Sequence, residues 1–222
     1  MKMPLSTWMV RFFICALCVF PISGCKTVST GTSSPEDIDS QSDVVEQYNL
    51  GVKHRRKGTT SDDKLAVEYL RRAAEQGHSN AQLDLGWMYS QGKGVEQDYA
   101  EAYNWYIKAA DQGNVVAQTN LGDMYEQARG VSQDYAEALT WYKKAAEQGL
   151  GYAQGDLGAL YFYGKGVSQD YAEAFKWYRK AAEQGNNTAQ GMIGLVYLSG
   201  LGVSKDYVKS HRWFNISGSS GN

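Results

Sequence analysis

The sequence has few cysteines, no long apolar segment and little net charge. Its 3 cysteines are Cys15, Cys18 and Cys25, and the first two lie in the apolar run 12–20. That run is shorter than the roughly 20 residues that a membrane span needs, and it follows a short basic N-terminus, as in secretory signals. Removal of such a signal would discard Cys15 and Cys18, which excludes them from redox or metal chemistry. The formal net charge of −2 offers no positive surface for nucleic acid.

The segment after the apolar run predicts a lipid anchor. Residues 22–25 read Ile-Ser-Gly-Cys, which resembles the bacterial lipobox, where aliphatic and small residues precede a cysteine. In such precursors the cysteine is lipidated and becomes the first residue of the mature protein, so the resemblance implies lipidation of Cys25. The alternative is an ordinary signal peptide in which Cys25 has no such role.

The polar stretch that follows is interpreted as a tether. Residues 26–43 are rich in Ser and Thr and nearly free of large apolar side chains, so they cannot bury enough surface to fold. We therefore predict a lipoprotein signal peptide at 1–24, lipidated Cys25 with a flexible tether at 25–43, and a folded domain at 44–222. In the lipoproteins that this region resembles, an Asp after the cysteine retains the protein in the inner membrane. The residue here is Lys26, which favours the outer membrane, with the domain facing the periplasm.

The folded domain is built from an internal repeat of 36 residues. The repeat is seen in four tryptophans and in the four tyrosines that follow a Gly by three residues, all predicted to be structural core: Trp105, Trp141, Trp177, Trp213, Tyr89, Tyr125, Tyr161 and Tyr197. A period of this length indicates stacked units, each too small to hide its own apolar side.

Each unit is predicted to be a helix hairpin. Apolar residues follow helical spacing in residues 81–91 and again in 98–113, and the turn 92–95 separates the two helices. Asp98 and Glu101 resemble a capping box at the start of the second helix, and Gly113 is a left-handed C-terminal cap. Gly86 lies in the middle of the first helix, where Gly costs about 1 kcal/mol relative to Ala. The repetition of this cost in every unit predicts close approach by the neighbouring helix.

These motifs resemble the Sel-one-like repeat, a relative of the tetratricopeptide repeat. The family shows an A-x-x-x-L-G-x-x-Y first helix, a G-x-G-V loop and an A-x-x-W-x-x-x-A-A-x-x-G second helix. The corresponding segments here are "AQLDLGWMY", "GKGV" and "AYNWYIKAADQG". The resemblance spans about residues 45 to 222 and implies an all-α fold, a right-handed superhelical solenoid of about five stacked hairpins and ten helices. The last unit has "SGSSGN" in place of "AAEQGN", so its second helix is expected to fray early.

No residue pattern indicates an enzyme. His54, His78 and His211 lack a second ligand at metal-binding spacing, and the Gly-rich loops lack the preceding strand of a phosphate site. We therefore expect no catalytic residue, no metal, no cofactor and no small-molecule substrate.

Partner binding is instead expected on the concave face that the first helices line in related solenoids. Positions on that face that differ between the repeat units distinguish this surface from that of other solenoids. Large aromatic residues at such positions are typical interface anchors. Some of them could alternatively fill local packing gaps. The candidates are Asp84, Trp87, Gln91, Asn120, Asp123, Gln127, Tyr152, Asp156, Phe162, Tyr163, Met192 and Leu195.

The family resemblance implies a lipid-anchored protein-binding module with a protein partner and a membrane contact through lipid only. One specific hypothesis is an immunity protein that neutralises a secreted antibacterial effector, such as a type VI secretion phospholipase. The alternative is an envelope scaffold or adaptor for a secretion, polymer-export or signalling complex. An enzyme, for example a cell-wall hydrolase, is the third class, and it lacks a nucleophile or metal site in this sequence.

Overall fold

The chain folds into consecutive antiparallel helices in a computed structural model that describes residues 35–219, with side chains for 43–218. The described residues from Ile38 onward belong to one compact unit. Ten helices and no strand occur in the described range. Their bounds are α1 (Pro35–Lys57), α2 (Thr60–Glu75), α3 (Ser79–Gln91), α4 (Tyr99–Asp111), α5 (Val115–Gln127), α6 (Tyr135–Glu147), α7 (Gly151–Tyr163), α8 (Tyr171–Glu183), α9 (Asn187–Ser199) and α10 (Tyr207–Ser219). The predicted all-α solenoid of five hairpins is confirmed.

The helices pack in chain order. From α2 to α10, each helix packs against the next helix in the chain, and the buried residues form successive clusters along the stack. Buried Leu and Ile residues of the first helices, such as Leu85, Leu121 and Ile193, meet buried Ala residues of the second helices. Each hairpin thereby covers the apolar side of its neighbour, as stacking of identical units requires.

Both ends of the solenoid differ from the prediction. Helix α1 begins at Pro35, so residues 35–43, which were assigned to the tether, are helical. Proline is well suited to the first position of a helix because its φ angle is already helical. Helix α10 has 13 residues like the second helices α4, α6 and α8, so the prediction of early fraying was wrong. The hydroxyl of Ser210 donates to the carbonyl of Gly194 at 2.9 Å and anchors α10 on α9.

The second helices α4, α6 and α8 begin with aspartate caps and α2 begins with the threonine cap Thr59, but the expected capping box is only half formed. The carboxylate of Asp98 accepts from the backbone N–H of Glu101 at 3.0 Å. The backbone N–H of Asp98 donates to the carbonyl of Tyr89 at 3.1 Å, so the Glu101 side chain has no donor to cap. The same arrangement joins Asp134 to Tyr125. These bonds tie the loop of each hairpin to the end of its first helix.

The tryptophans lie nearer the edge of the core than expected. Trp105 and Trp141 are buried, whereas Trp177 and Trp213 are only half-buried. A lysine ammonium covers the ring face of Trp141 at 3.9 Å from the ring centre, as it could not do in a closed core. The four tyrosines of the first helices are also half-buried and pack against the core clusters: Tyr89, Tyr125, Tyr161 and Tyr197. The hydroxyl of one of them, Tyr125, shares a hydrogen bond of 2.9 Å with the hydroxyl of Tyr103 in α4.

A ladder of buried glutamines links successive hairpins. The side-chain amide of Gln154 donates to the carbonyl of Ala146 at 3.1 Å, and its oxygen accepts from the amide of Gln184 at 2.9 Å. Gln82 and Gln118 repeat both bonds. At the C-terminal end, the oxygen of Gln190 is buried without a partner among the described residues. These bonds align Gln82, Gln118 and Gln154 in the same way within their repeats, because each side-chain amide must reach both of its partners.

Candidate partner-binding face

The first helices α3, α5, α7 and α9 present a shared face with two depressions. The first has a volume of about 240 Å³ and includes Trp87, Gln91, Asn120 and Asp123. The second has a volume of about 410 Å³ and includes Tyr152, Asp156, Tyr163 and Met192. The predicted candidates are therefore brought together as two separate groups, which we call the N-terminal and the C-terminal depression. Gln127 and Leu195 are exposed on the same helices but line neither depression.

The N-terminal depression is polar and partly filled. The indole of Trp87 is 37% exposed, and the guanidinium of Arg55 lies 5.6 Å from its ring centre. The carboxylate of Asp123 accepts from the hydroxyl of Tyr142 at 2.6 Å. Most polar groups here already have partners within the chain, so Trp87 is the main surface that remains for a ligand.

The C-terminal depression is larger because two residues of α7 are small. Gly155 and Ala159 replace the Leu83 and Trp87 of the equivalent positions in α3. The side chains of Tyr152 and Tyr163 flank the resulting space, and they are 73% and 59% exposed. Aromatic side chains at such positions supply large contact area at a low entropy cost, as in interface anchors.

Carboxylates give this part of the face a negative character. Burial, followed by repulsion from the carboxylates of Asp123 and Glu126, raises the pKa of Asp156 to about 7. Burial also raises the pKa of Asp123, against the hydrogen bond from Tyr142. Glu126 is paired with the ammonium of Lys165 at 2.9 Å. Because Asp156 is held in a half-buried position next to other acids, its ionised form is costly in the free protein.

Two predicted partner-binding residues are not available on the surface. Asp84 is only 9% exposed, because the guanidinium of Arg55 in α1 pairs with its carboxylate at 2.9 Å. Phe162 is 8% exposed, because it turns toward α8 and packs edge-on against Tyr171 with ring centres 5.1 Å apart. It also contacts the ring of Tyr163 at 5.1 Å, so its role is to support an exposed neighbour.

Other residues of the face were not found from the sequence. Tyr178 of α8 and Asn186 before α9 line the C-terminal depression, and Arg129 lines the N-terminal one. The sequence did contain one indication of the larger depression, namely small residues at both positions 155 and 159 of one helix. Arg129 could not be recognised from the sequence, because the equivalent loop position is also a basic residue in two other repeats.

Several predictions concern residues that the structure does not describe, and others can be compared with the structure only within the described range. The signal peptide, Cys25 and residues 26–34 of the tether are not described. Within the described range, no cluster of three or more His, Cys, Asp or Glu is arranged for a metal ion. None of the helices described here has the length and hydrophobicity of a membrane span.

Comparison with known proteins identifies the repeat. The family model described as Sel1 repeat matches residues 47–78, 79–114, 115–150, 151–186 and 188–222. These matches coincide closely with the five hairpins. No curated protein shows a significant sequence match to the chain.

Solved structures share both the fold and part of the sequence. The protective antigen c5321 of uropathogenic Escherichia coli, described as displaying an SLR fold, is 43% identical with a TM-score of 0.79. The match covers 83% of this chain but 40% of that protein, so this chain spans less than half of its length. A Sel1 repeat protein from Oxalobacter formigenes is 32% identical with a TM-score of 0.76, over 85% of this chain and 74% of that chain.

Proposed function

The chain belongs to the Sel1 repeat family, and from this premise we propose that it is a lipid-anchored module that binds a protein on the face of α3, α5, α7 and α9. The observation that carries the proposal is the pair of depressions on that face, with Trp87 at one and Tyr152 and Tyr163 at the other. Exposed aromatics beside concave surfaces are the usual anchors of protein interfaces. No catalytic constellation accompanies them in the described residues, and the proposed role is binding.

The more specific role that we propose is that of an immunity protein. A face with two separate, unlike depressions suits one discrete partner, because each depression admits a different side chain. A secreted effector that attacks membranes, such as a type VI secretion phospholipase, would be intercepted by a binder held near the membrane. The alternative role is an envelope scaffold, in which the same face would hold subunits of a larger complex in turn.

The proposed location follows from the N-terminal sequence. Lipidation of Cys25 would anchor the protein, and Lys26 favours the outer membrane with the solenoid in the periplasm. Two or more acyl chains give stable anchoring, and the residues between Cys25 and α1 would then separate the solenoid from the lipid surface.

The test is capture of the partner with paired variants. The bait is the chain without its signal peptide and with Cys25→Ser, incubated with lysate of the native strain and of competing strains. We expect one protein at a one-to-one ratio, with capture lost when Trp87 and Tyr163 are both replaced by Ala. Tyr207→Ala is the control, because Tyr207 is an aromatic residue about as exposed as Tyr163 on α10, outside the proposed face.

The outcomes separate the proposals. Recovery of one secreted toxin whose activity the bait inhibits supports an immunity protein. Recovery of several envelope proteins, with capture sensitive to the same variants, supports the scaffold. Capture that is indifferent to the Trp87 and Tyr163 changes contradicts the proposed binding face.

A further inference from the structure

The chain contains its own example of an arginine paired with an aspartate at this position of the repeat. Asp84 and Asp156 occupy the same position in repeats two apart. The carboxylate of Asp84 pairs with the guanidinium of Arg55 at 2.9 Å, and the same guanidinium lies over the indole of Trp87 at 5.6 Å. A carboxylate and an aromatic ring together therefore hold one arginine side chain, a combination that suits the flat guanidinium group.

Asp156 lacks the arginine that its counterpart has. Arg55 lies 29 residues before Asp84, and the residue 29 before Asp156 is the neutral Gln127. Within residues 43–218, Asp156 makes no hydrogen bond or ion pair with a protein group. Lys165 of the loop after α7 is paired with Glu126 at 2.9 Å. The negative charge at Asp156 is thus left without an internal partner.

The surroundings of Asp156 provide room and rings for an arginine from outside. The C-terminal depression has a volume of about 410 Å³ and opens between Tyr152 and Tyr163. Its floor is formed in part by Ala159, where the equivalent residue of α3 is Trp87. Arg55 and Trp87 cover the surroundings of Asp84. The neutral Gln127 and the small Ala159 occupy the equivalent positions for Asp156 and leave its surroundings open.

We infer that the C-terminal depression receives an arginine side chain of the partner protein, with its guanidinium on the carboxylate of Asp156 and its flat face against Tyr152 or Tyr163. This inference rests on the proposed function and names the chemistry of the partner. The carboxylates of Asp123 and Glu126 add to the negative potential, so charge complementarity favours a cation over a neutral or acidic side chain.

The acid–base properties of the depression agree with this occupant. Burial and the neighbouring acids Asp123 and Glu126 of α5 raise the pKa of Asp156 to about 7, and the other titratable groups that face it are Tyr142 of α6 and tyrosines of α7 and α8. A guanidinium that pairs with the carboxylate would reverse this shift. Binding should therefore tighten as the pH rises through about 7 and level off above it.

The first test uses a pair of peptides that differ only in charge. The probes are acetyl-Ala-Arg-Ala-amide and its citrulline analogue, which is close in shape but neutral. The protein is the chain without its signal peptide and with Cys25→Ser, which retains the compact unit of the described residues from Ile38 onward. The methyl signal of Met192, a residue of the depression, reports binding by NMR.

We expect the arginine peptide to bind about tenfold more tightly than the citrulline peptide, as a charge-assisted hydrogen bond at a partly exposed site allows. Asp156→Asn should remove this preference. Asp111→Asn should keep it, because it removes the same charge from an exposed position at the end of α4. Equal affinity for the two peptides, or a preference that survives Asp156→Asn, would overturn the inference.

A gain-of-pair variant provides the second test. Gln127→Arg places an arginine where Arg55 stands relative to Asp84, so it should lower the pKa of Asp156 in a carbon-13 NMR titration and abolish binding of the arginine peptide. Ala159→Leu, which copies the equivalent Leu195, should block the peptide by filling the space. Circular dichroism shows that each variant is folded. Binding unchanged in both folded variants contradicts the inference, whereas partner capture that still depends on Trp87 and Tyr163 would leave the proposed function standing.

Discussion

The ring of Tyr142 lies where a side chain on Gly122 would have to be. A Cβ atom on Gly122 would come within 2.5 Å of ring carbons of Tyr142, which is a fully buried residue. The same relationship joins Gly86 to Tyr106 and Gly158 to Tyr178. The mid-helix glycines are therefore required by the tyrosines of the facing second helices, and the predicted close approach between the helices is confirmed.

Gly122→Ala should destabilise the protein although alanine favours helices. We expect a loss of about 1–3 kcal/mol in the free energy of unfolding, because the added methyl group overpacks a closed core. Gly191→Ala is the control, since its Cβ would meet only the Ser217 hydroxyl at 3.9 Å, and it should stabilise by up to about 1 kcal/mol. Urea unfolding measures both, and a loss of equal size at the two positions would contradict the steric explanation.

Trp141→Ala should cost more than Trp177→Ala. Trp141 is buried, whereas Trp177 is half-buried. Removal of a buried tryptophan leaves a cavity and costs about 3–5 kcal/mol, and the half-buried ring should cost clearly less. Thermal unfolding followed by circular dichroism makes the comparison. An unchanged melting curve for Trp141→Ala would show that this ring is not part of the core.

Gln154→Leu tests the glutamine ladder. The substitution removes one donor and one acceptor and leaves the carbonyl of Ala146 and the amide of Gln184 without their partner. We expect a loss of about 1–3 kcal/mol, the net contribution of two hydrogen bonds at about 0.5–1.5 kcal/mol each. Gln190→Leu breaks only the bond to Ala182, so its effect in the same urea titration should be smaller. The reverse order would argue against the ladder as a source of stability.

Asp156→Asn should change how stability depends on pH. The folded-state pKa of about 7 lies above the ordinary carboxyl value of 3.8, so between these values the folded protein binds more protons than the unfolded chain. Stability contributed by this group is thus lost as the pH rises from about 4 to about 7. The variant should match the wild type near pH 4 and exceed it near pH 8 by an amount on the order of 2 kcal/mol. A pH-independent difference in urea unfolding would contradict this.

Cys25→Ser tests the lipid anchor. The variant should appear in the soluble fraction with an unchanged circular dichroism spectrum, because the solenoid begins after the anchor. Membrane fractionation of cells that express either form gives the answer. Recovery of the variant in the membrane pellet would show that Cys25 does not carry the anchor.

The repeat allowed much of the fold to be predicted because each unit contains its own local signals. Apolar spacing, aspartate caps and left-handed glycines such as Gly113 act within a few residues, so they can be read from the sequence. The bounds of α1 were missed because residues 35–43 carry no apolar period, and a polar helix has no signal of that kind. The half-burial of Trp177 was missed because the period shows which side chains are equivalent and not how deep each one lies.

The sequence by itself determined the hairpins and their number, since these follow from local preferences repeated every 36 residues. The expectation of a partner-binding face on the first helices came from the resemblance to related solenoids. Only the tertiary structure decided which positions on that face are open. Asp84 and Asp156 are the same residue at the same repeat position, yet one is closed by Arg55 and the other faces a depression. The difference arises from side chains in neighbouring hairpins, because accessibility depends on what packs across the repeat boundary and not on the residue itself.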